Sequence, residues 1–451
     1  MSLRGLDRVS APMSLPPAYP LIEGFWIRNY KAFRQIAIGS SFQQSVVMDF
    51  AGEVVPYELT PLTLFAGESG TGKSTILDAF AFLEDCINNG VNSAVAQRGG
   101  FDSVYHFGGA GPISIGIAYR PCAEERSLTY VLNVDYNKTT RHAFVETEAI
   151  IYRGHAPGSQ PRPILLFQNG DKQTRLIQPW AGAQGSALDQ VKRTDSHHLG
   201  LSALASFENL PDIPQLKHSL GKFFISSYAS SNAAGLSPAK FKLVPSGNLA
   251  LDLKRIKEKH PAEFTGILDI IAKRMPGVEK INFEVTEAGR TLLSLNVAGH
   301  DTAIYPAQLG EGTLRLLSLL TLFEDPIPTP VLGIEEPAAC MGQSQIAAFA
   351  QLIQHHVREL GGTQFFVTTN NNALIDQMDP TEVWFLMRDS DQSVRASRGL
   401  DELQFLGVDL NSVGPYWYSE YLYRDQDSRA SASMIMQRSH ASLRMPNPEQ
   451  S

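Results

Sequence analysis

The sequence has few cysteines and no long apolar run. Its 451 residues include three cysteines, Cys86, Cys122 and Cys340, and none of them lies in a C-x-x-C pair. Neither a disulfide framework nor a zinc knuckle is predicted. No stretch approaches the ~18 consecutive apolar residues of a membrane-spanning helix, and the N-terminus lacks the apolar core of a signal peptide. We therefore expect a cytoplasmic protein with no membrane contact.

Positive charge is also scarce. The 38 lysines and arginines are outnumbered by 46 acidic residues, which gives a net charge of −8. This balance argues against a protein that binds nucleic acid over its whole surface, although a local basic groove stays compatible with it. The segment "LDLKRIKEKH", residues 251–260, concentrates four basic side chains. It is interpreted either as a contact to nucleic-acid phosphates or as an ordinary solvated helix face, with Glu258 favouring the second.

What the sequence does contain is an alternation of strand-like and helix-like stretches. Such alternation predicts an α/β fold with a mostly parallel sheet. We divide the chain into a flexible lead (1–20), an N-terminal lobe with an antiparallel β subdomain (21–194), a helical insertion (195–275), a C-terminal lobe (276–425) and a disordered tail (426–451). In the C-terminal lobe, "SQIAAFAQLIQHHVRELGG" predicts a helix that ends at Gly361. Its buried residues are predicted to be Ile346, Phe349, Ile353, Val357 and Leu360.

The stretch "GESGTGKST", directly after the apolar "LTLF", has the spacing G-x-x-x-x-G-K-[ST]. With a strand before it and a helix after it, this pattern predicts a loop whose backbone N–H groups cradle a phosphate chain. Lys73 reaches the β- and γ-phosphates, and the Ser74 hydroxyl ligates Mg²⁺. The predicted nucleotide contacts of this loop are Gly67, Glu68, Ser69, Gly70, Thr71, Gly72, Lys73, Ser74 and Thr75.

A pair of acids follows a second buried strand, "VLGIEEP", about 260 residues after the lysine. At the end of a strand beside the phosphate loop, Glu335 is predicted to hold the Mg²⁺ shell, directly or through water. Glu336 is predicted to orient and deprotonate the attacking water. The alternative is two surface acids at a strand end. ATP and Mg²⁺ are the predicted cofactors.

Seven stretches in a fixed order resemble one family. They are "IRNYKAFRQIAI", "GESGTGKST" (Walker A), "GGFDSVYHFG", "LGEGTLRLL" (signature), "GIEEP" (Walker B), "FFVTTNNNALID" (switch strand) and "SVGPYWYSEYL". Together they resemble the ABC-type ATPases of the SMC/RecF/OLD superclass. More narrowly, they are similar to the compact bacterial AAA-family ATP-binding proteins of anti-phage defence loci. The similarity covers roughly residues 21–425.

The resemblance implies an ABC/SMC-type head with its insertion between Walker A and the signature. In such heads, ATP lies between the Walker A of one subunit and the signature of another. A homodimer or higher homo-oligomer is therefore implied, with Gly310, Glu311 and Gly312 facing the partner's nucleotide. Arg28 and Asn29 lie where the family's first strand approaches the nucleotide, and a purely structural role is the alternative for both. Arg315 is interpreted as a group near the partner's ATP or as a solvent-facing residue.

Three departures from the family pattern all concern the γ-phosphate side. Gly310 stands where the family has the signature serine, "AACMGQ" (338–343) replaces the loop after the acids, and Asn370 replaces the switch histidine. An asparagine amide can hydrogen-bond a phosphate but cannot carry a proton as imidazole does. Loss of one preorganised donor typically slows catalysis by ~10²–10³. We expect retained ATP binding and weakened hydrolysis, with Glu336 and Asn370 as the catalytic residues; substitution by local side chains is the alternative.

The resemblance implies an ATP-dependent switch that controls a separate effector, expected to be a nuclease encoded by a neighbouring gene, in anti-phage defence. The sequence contains no acidic cluster typical of a metal-dependent nuclease module. The alternative function is a RecF-like DNA repair or maintenance ATPase that clamps DNA when ATP is bound.

Overall fold

The computed structural model describes residues 20–39, 58–121, 126–154, 162–168, 173–177, 187–192, 197–204, 212–227, 244, 248–274, 277–299, 302–326, 329–389, 391–406 and 414. The strands in these ranges are β1 (Leu21–Tyr30), β2 (Phe33–Gly39), β3 (Leu62–Gly67), β4 (Ile113–Arg120), β5 (Arg126–Asn137), β6 (His142–Gly154), β7 (Arg162–Gln168), β8 (Gln173–Ile177), β9 (Ala187–Lys192), β10 (Phe223–Ser227), β11 (Val278–Val285), β12 (Thr291–Val297), β13 (Val331–Glu335), β14 (Gln364–Thr369), β15 (Val383–Arg388) and β16 (Val394–Arg398). The helices are α1 (Lys73–Asn89), α2 (Val91–Ala96), α3 (Phe101–Val104), α4 (Gly200–Leu204), α5 (Asp212–Leu220), α6 (Leu249–Lys259), α7 (Pro261–Arg274), α8 (Glu311–Phe323), α9 (Gln343–His355), α10 (Asn372–Ile375) and α11 (Gly399–Leu406).

A six-stranded sheet carries the phosphate loop. Its order is β10-β13-β14-β3-β15-β16, and all neighbours are parallel except β15 and β16. β3 lies inside the sheet and every one of its residues is buried. A parallel strand with both faces covered is expected to be such a continuous apolar run. The loop after β3 therefore starts from the interior of the sheet.

Successive side chains of these strands lie on opposite faces of the sheet, and each face packs into its own core. Phe65 of β3 and Phe366 of β14 pack into one core, whereas Leu64 and Val367 pack into the other. Successive side chains of a strand point to opposite faces, so a single short strand supplies both. Helix α1 packs in the first core, and α6 to α9 contribute to the second.

The second large sheet is antiparallel, with eight strands in the order β2-β1-β4-β5-β6-β7-β8-β9. Every second residue of β4 from Ile113 to Tyr119 packs into the core that α1 shares. This sheet therefore covers α1 from the side away from the phosphate-loop sheet. The predicted fold class, an α/β P-loop head with an antiparallel β subdomain and an insertion before the signature, is confirmed.

The insertion predicted as helical, residues 195–275, also contains a strand. It holds α4 to α7, but β10 pairs in parallel with β13 and so belongs to the phosphate-loop sheet. The sequence "FFISS" is short and has no clear period, which is why a strand was not expected there. β10 matters for function because Ser227 pairs in register with Glu335.

The C-terminal lobe contains one local difference from the sequence prediction. Ile346, Phe349 and Ile353 of α9 are buried as expected, but residues 356–360 form a π-helical turn. That turn buries His356 and leaves Leu360 60% exposed, so the predicted burial of Leu360 is wrong. A π turn adds a residue per hydrogen-bonded loop and rotates the following side chains off the helix's apolar face. Gly361 ends the segment with φ = 65°, as expected.

Among the residues described above, no helix has both the length and the apolar character needed to span a bilayer. Some of the predictions fall outside the described residues. They concern residues 1–19 of the predicted lead (1–20), the tail at 426–451, Cys122, and the motif "SVGPYWYSEYL" apart from Gly414.

Candidate nucleotide site

The phosphate loop and the acids Glu335 and Glu336 meet at one edge of the six-stranded sheet. In the parallel register, Glu335 pairs with Thr368, Thr369 pairs with Ala66, and Gly67 pairs with Leu386. Ligands of open α/β sheets bind outside the carboxyl ends of the strands. The topology thus brings the phosphate loop and the two acids together although they are far apart in sequence.

The glycines of the loop are required by its geometry. Gly70 and Gly72 have φ angles of 87° and 95°, which favour glycine. A Cβ on Gly72 would lie 2.6 Å from the ring of Phe33, and one on Gly67 would lie 2.6 Å from Oγ1 of Thr71. Thr71 closes the turn by donating its hydroxyl to the Glu68 carbonyl at 2.9 Å. The loop therefore has its cradle shape before any ligand is considered.

Lys73 is buried at the base of this loop. Its Nζ donates to the carbonyl oxygens of Gly67 at 2.7 Å and Glu68 at 3.0 Å. Burial lowers the pKa of the ammonium group, and the charge of Glu336 partly offsets this effect. The ammonium group is held under the loop, where a phosphate chain on the backbone N–H groups would meet it. Ser74, the next residue, is exposed at the start of α1.

Glu336 lies opposite Lys73 in a constrained conformation. Its φ of 42° places it in the left-handed region, directly before Pro337. One carboxylate oxygen lies 3.7 Å from Nζ of Lys73, and the other accepts the backbone N–H of Asn370 at 3.1 Å. Burial raises the pKa of this carboxyl although Lys73 and Asn370 act against it. A raised pKa makes the carboxylate a stronger base, as a residue that activates water requires.

The other acid, Glu335, is held from the side. Its Oε2 accepts the hydroxyl of Ser227 at 2.8 Å, and its side chain is half-buried at the end of β13. No group of three or more His, Cys, Asp or Glu residues suited to a metal occurs among the described residues. Mg²⁺ commonly takes only one or two carboxylates plus phosphate oxygens and waters, so Glu335 and the Ser74 hydroxyl fit it. With nucleotide bound, the ion would neutralise charge on the phosphates there.

Asn370 and Asn371, at the end of β14, make different contacts. Asn370 is exposed and contacts Glu336 through its backbone N–H. Asn371 caps α10, because its side-chain oxygen accepts the Leu374 N–H at 3.2 Å. Asn371 therefore has a structural role, and the catalytic role of Asn370 stays a prediction.

The start of α8 presents Gly310 to the outside. Gly310 is the exposed N-cap, with φ = −65° and ψ = 146°, and a Cβ on it would meet no atom within 4 Å. Glu311 is exposed as well, and its carboxylate accepts the thiol of Cys340 at 3.4 Å. Gly312 differs, because it is buried and a Cβ there would lie 2.4 Å from the Cys340 carbonyl oxygen. Packing within the chain explains that glycine.

The structure bears on the alternatives given for Arg315 and Asn29. Arg315 neither faces solvent nor lies at an exposed surface, since it is 1% exposed and donates to Ser226 and to the Glu335 carbonyl. Asn29 is 1% exposed, and its amide donates to the carbonyls of Ala110 at 2.6 Å and Pro112 at 3.0 Å. Its side chain supports the turn before β4 rather than pointing at a nucleotide. Arg28 is half-buried on the same strand.

Two residues of the site are not predicted from the sequence. Arg388, at the end of β15, donates to the Gly70 carbonyl at 2.5 Å and so fixes a peptide of the phosphate loop. Ser227 holds Glu335. The register of a parallel sheet would have placed Arg388 next to the loop, but only once β15 is known to neighbour β3.

Three of the four basic residues of α6 have contacts within the molecule. Lys254 lies 3.8 Å from Glu258, and Arg255 pairs with Asp325. Nζ of Lys257 lies 5.5 Å from the ring centroid of Phe264. These contacts favour the solvated-face interpretation over a nucleic-acid surface.

Comparison with known proteins identifies a family. A family model described as "AAA domain, putative AbiEii toxin, Type IV TA system" matches residues 62–376. No curated protein matches. Solved structures that align include an SMC head bound to the C-terminal winged-helix domain of ScpA (15% identity, 83% of this chain and 96% of that chain, TM-score 0.42). Others are the SMC head domain from Thermotoga maritima (13%, 84% and 98%, 0.36) and an SMC head with an extended coiled coil bound to the C-terminal domain of ScpA, from Pyrococcus furiosus (13%, 86% and 99%, 0.43).

Proposed function

This chain belongs to the AAA-domain family whose description names the AbiEii toxin of a type IV toxin–antitoxin system, and from that premise we propose that it is an ATP-binding switch. Two copies would close around nucleotide, and the closed state would control a separate effector, a nuclease from a neighbouring gene, in anti-phage defence. The observation that carries the proposal is an asymmetry: the phosphate loop, Lys73 and Glu336 are assembled within one chain, whereas Gly310 faces outward.

ATP would bind with its phosphates on the loop from Gly67 to Thr75. Lys73 would exchange its carbonyl contacts for the β- and γ-phosphates, and Ser74 and Glu335 would hold Mg²⁺. The first N–H groups of a helix lack an acceptor in the preceding turn, so those of Glu311 and Gly312 could donate hydrogen bonds to a phosphate of a second copy. In this arrangement ATP is the contact that joins the two copies.

Hydrolysis would then reopen the pair, and we propose that it is slow. Glu336 supplies a base of raised pKa. However, Gly310 offers no hydroxyl, and Asn370 cannot shuttle a proton. Slow turnover suits a switch, because the closed state must persist long enough to act on an effector.

The experiment measures molar mass by light scattering with and without ATP and MgCl₂. The variant Glu336→Gln removes the base while leaving the phosphate loop intact, so we expect its mass to double with ATP. Lys73→Ala should remain monomeric, and Lys254→Ala, which removes a partly exposed side chain paired with Glu258, should behave as the unmodified protein. Co-expression with the neighbouring gene then tests the effector, with ATP-dependent co-purification expected. A protein that binds no ATP, or binds it without change in mass, would contradict the proposal.

A further inference from the structure

The guanidinium of Arg315 spans two strands behind the nucleotide site. Arg315 lies in the second turn of α8, yet its side chain is 1% exposed. Nη1 donates to the Ser226 hydroxyl at 3.0 Å, and Nη2 donates to the Ser226 carbonyl at 3.1 Å and the Glu335 carbonyl at 3.0 Å. One side chain of α8 is thereby bonded to both β10 and the acid-bearing end of β13.

A second contact ties the same helix to the other side of the acids. The missing side chain of Gly312 lets the first turn of α8 approach the carbonyl of Cys340, where a Cβ would be only 2.4 Å away. Cys340 ends the short 3₁₀ turn that begins directly after Glu336. The first two turns of α8 therefore hydrogen-bond to the backbone before Glu336 and pack closely against the backbone after it.

A third contact extends this connection to the carboxylate itself. Ser227, next to the serine that Arg315 holds, donates its hydroxyl to Oε2 of Glu335 at 2.8 Å. Glu335 is thus held at its carbonyl by Arg315 and at its carboxylate by the strand that Arg315 also binds. We call Arg315, Ser226 and Ser227 the bridge.

The choice of arginine follows from this geometry. A planar guanidinium presents several N–H donors in fixed directions, and here they reach acceptors on two neighbouring strands at once. A lysine ammonium could keep the charge but could not hold both strands in the same arrangement. Removal of a charged group from water is unfavourable, so its burial here needs compensating hydrogen bonds of this kind.

We propose that Arg315 is a positioning residue that couples the outward start of α8 to the metal-side acid Glu335. The inference rests on the proposed function. When Gly310 meets the phosphate of a second copy, a shift of α8 moves the bridge and sets the Glu335 carboxylate for Mg²⁺. Coupling of two sites is reciprocal, so Mg²⁺ at Glu335 strengthens pairing by the same factor by which pairing strengthens Mg²⁺ binding.

The test uses the full chain and three measurements: ATP affinity in EDTA, the gain in ATP affinity on adding MgCl₂, and the ATP-dependent dimerisation constant. Arg315→Lys keeps the positive charge but loses the planar set of N–H donors that reaches both strands. We expect its ATP affinity in EDTA to stay within about twofold, while the MgCl₂ gain and the dimerisation constant both fall about tenfold, a typical size for coupling between sites.

Ser227→Ala provides the second variant, because it removes one hydroxyl and leaves Arg315 in place should Arg315→Lys fail to fold. It should lose most of the MgCl₂ gain and weaken dimerisation. Ser318→Ala is the matched control: Ser318 is a buried serine of the same helix whose hydroxyl bonds only to the helix carbonyl of Leu314 among the described contacts. It should change neither quantity.

The outcomes separate the two proposals. Suppose that the unmodified protein dimerises with ATP. If the bridge variants then keep the MgCl₂ gain in ATP affinity, the dimerisation constant, or both, the coupling is overturned and the switch stands. If the unmodified protein binds ATP and stays monomeric, the switch itself is overturned, and the coupling with it.

Discussion

The two helices that meet the nucleotide edge begin in opposite ways. α1 begins after Gly72, whose φ is 95° and whose missing side chain makes room for the ring of Phe33. α8 begins after Gly310, which has an ordinary extended backbone and open space around it. The glycine before α1 is packed against a side chain of the same chain, whereas a Cβ added to the glycine before α8 would meet no atom within 4 Å.

A glycine can therefore precede a helix for different physical reasons. Gly72 is required by backbone conformation and by contact, so any side chain there strains the loop. Gly310 is required by neither, which agrees with the proposal that it faces the nucleotide of a second copy. Variants at these two glycines should therefore behave differently.

The largest effect is expected from Gly72→Ala compared with Gly310→Ala. Alanine at a positive φ costs about 1–2 kcal/mol, and the clash with Phe33 adds to this, so ATP affinity should fall about 100-fold. Gly310→Ala should leave the affinity of a single chain within about threefold. Calorimetric titration with ATP in dilute protein measures both. Equal losses in the two variants would remove the contrast between the helix starts.

A gain is expected from Gly310→Ser. The backbone of Gly310 suits serine, which is a preferred N-cap, and the space around it accepts the side chain. Since one preorganised donor commonly contributes 10²–10³ in rate, an added hydroxyl should raise ATP turnover by about tenfold or more. Phosphate release measures the rate, with Gly310→Ala as the variant that adds bulk without a donor. An unchanged rate would indicate that Gly310 does not face a γ-phosphate.

The smallest effect concerns pH. The raised pKa of Glu336 means that falling pH neutralises this carboxylate earlier than an ordinary one, which removes its repulsion of the triphosphate. Mg²⁺-free ATP affinity should therefore rise about threefold between pH 8 and pH 5, beyond the change caused by ATP's own titration.

Glu336→Gln supplies the reference for that measurement, because it retains the shape of the side chain without the titrating group. The variant should bind ATP more tightly than the unmodified protein at pH 8, and the difference in affinity should shrink as the pH falls. Parallel pH profiles would show that Glu336 does not sense the triphosphate. Gly310→Ser retains Glu336 and should therefore show the same pH dependence as the unmodified protein.

The sequence was sufficient for the parts of the site that depend on local order. A glycine-rich loop between a buried strand and a helix, and acids after another buried strand, indicate an α/β sheet edge because strand ends and loop geometry are encoded within a few residues. Parallel pairing then brings Glu335 and the loop together. Asn370 was named through the family resemblance; it directly follows β14, and its catalytic role stays a prediction.

The contacts of Arg315, Ser227 and Arg388 are visible only in the tertiary structure. Their partners lie 20 to 318 positions away along the chain, so no local period or spacing could indicate them. Arg315 shows the limit most clearly, since its place on α8 fits either solvent or a partner's nucleotide until β10 is seen beside β13. Hydrogen-bond direction and burial depend on which strands become neighbours, and that is fixed by packing of the whole sheet.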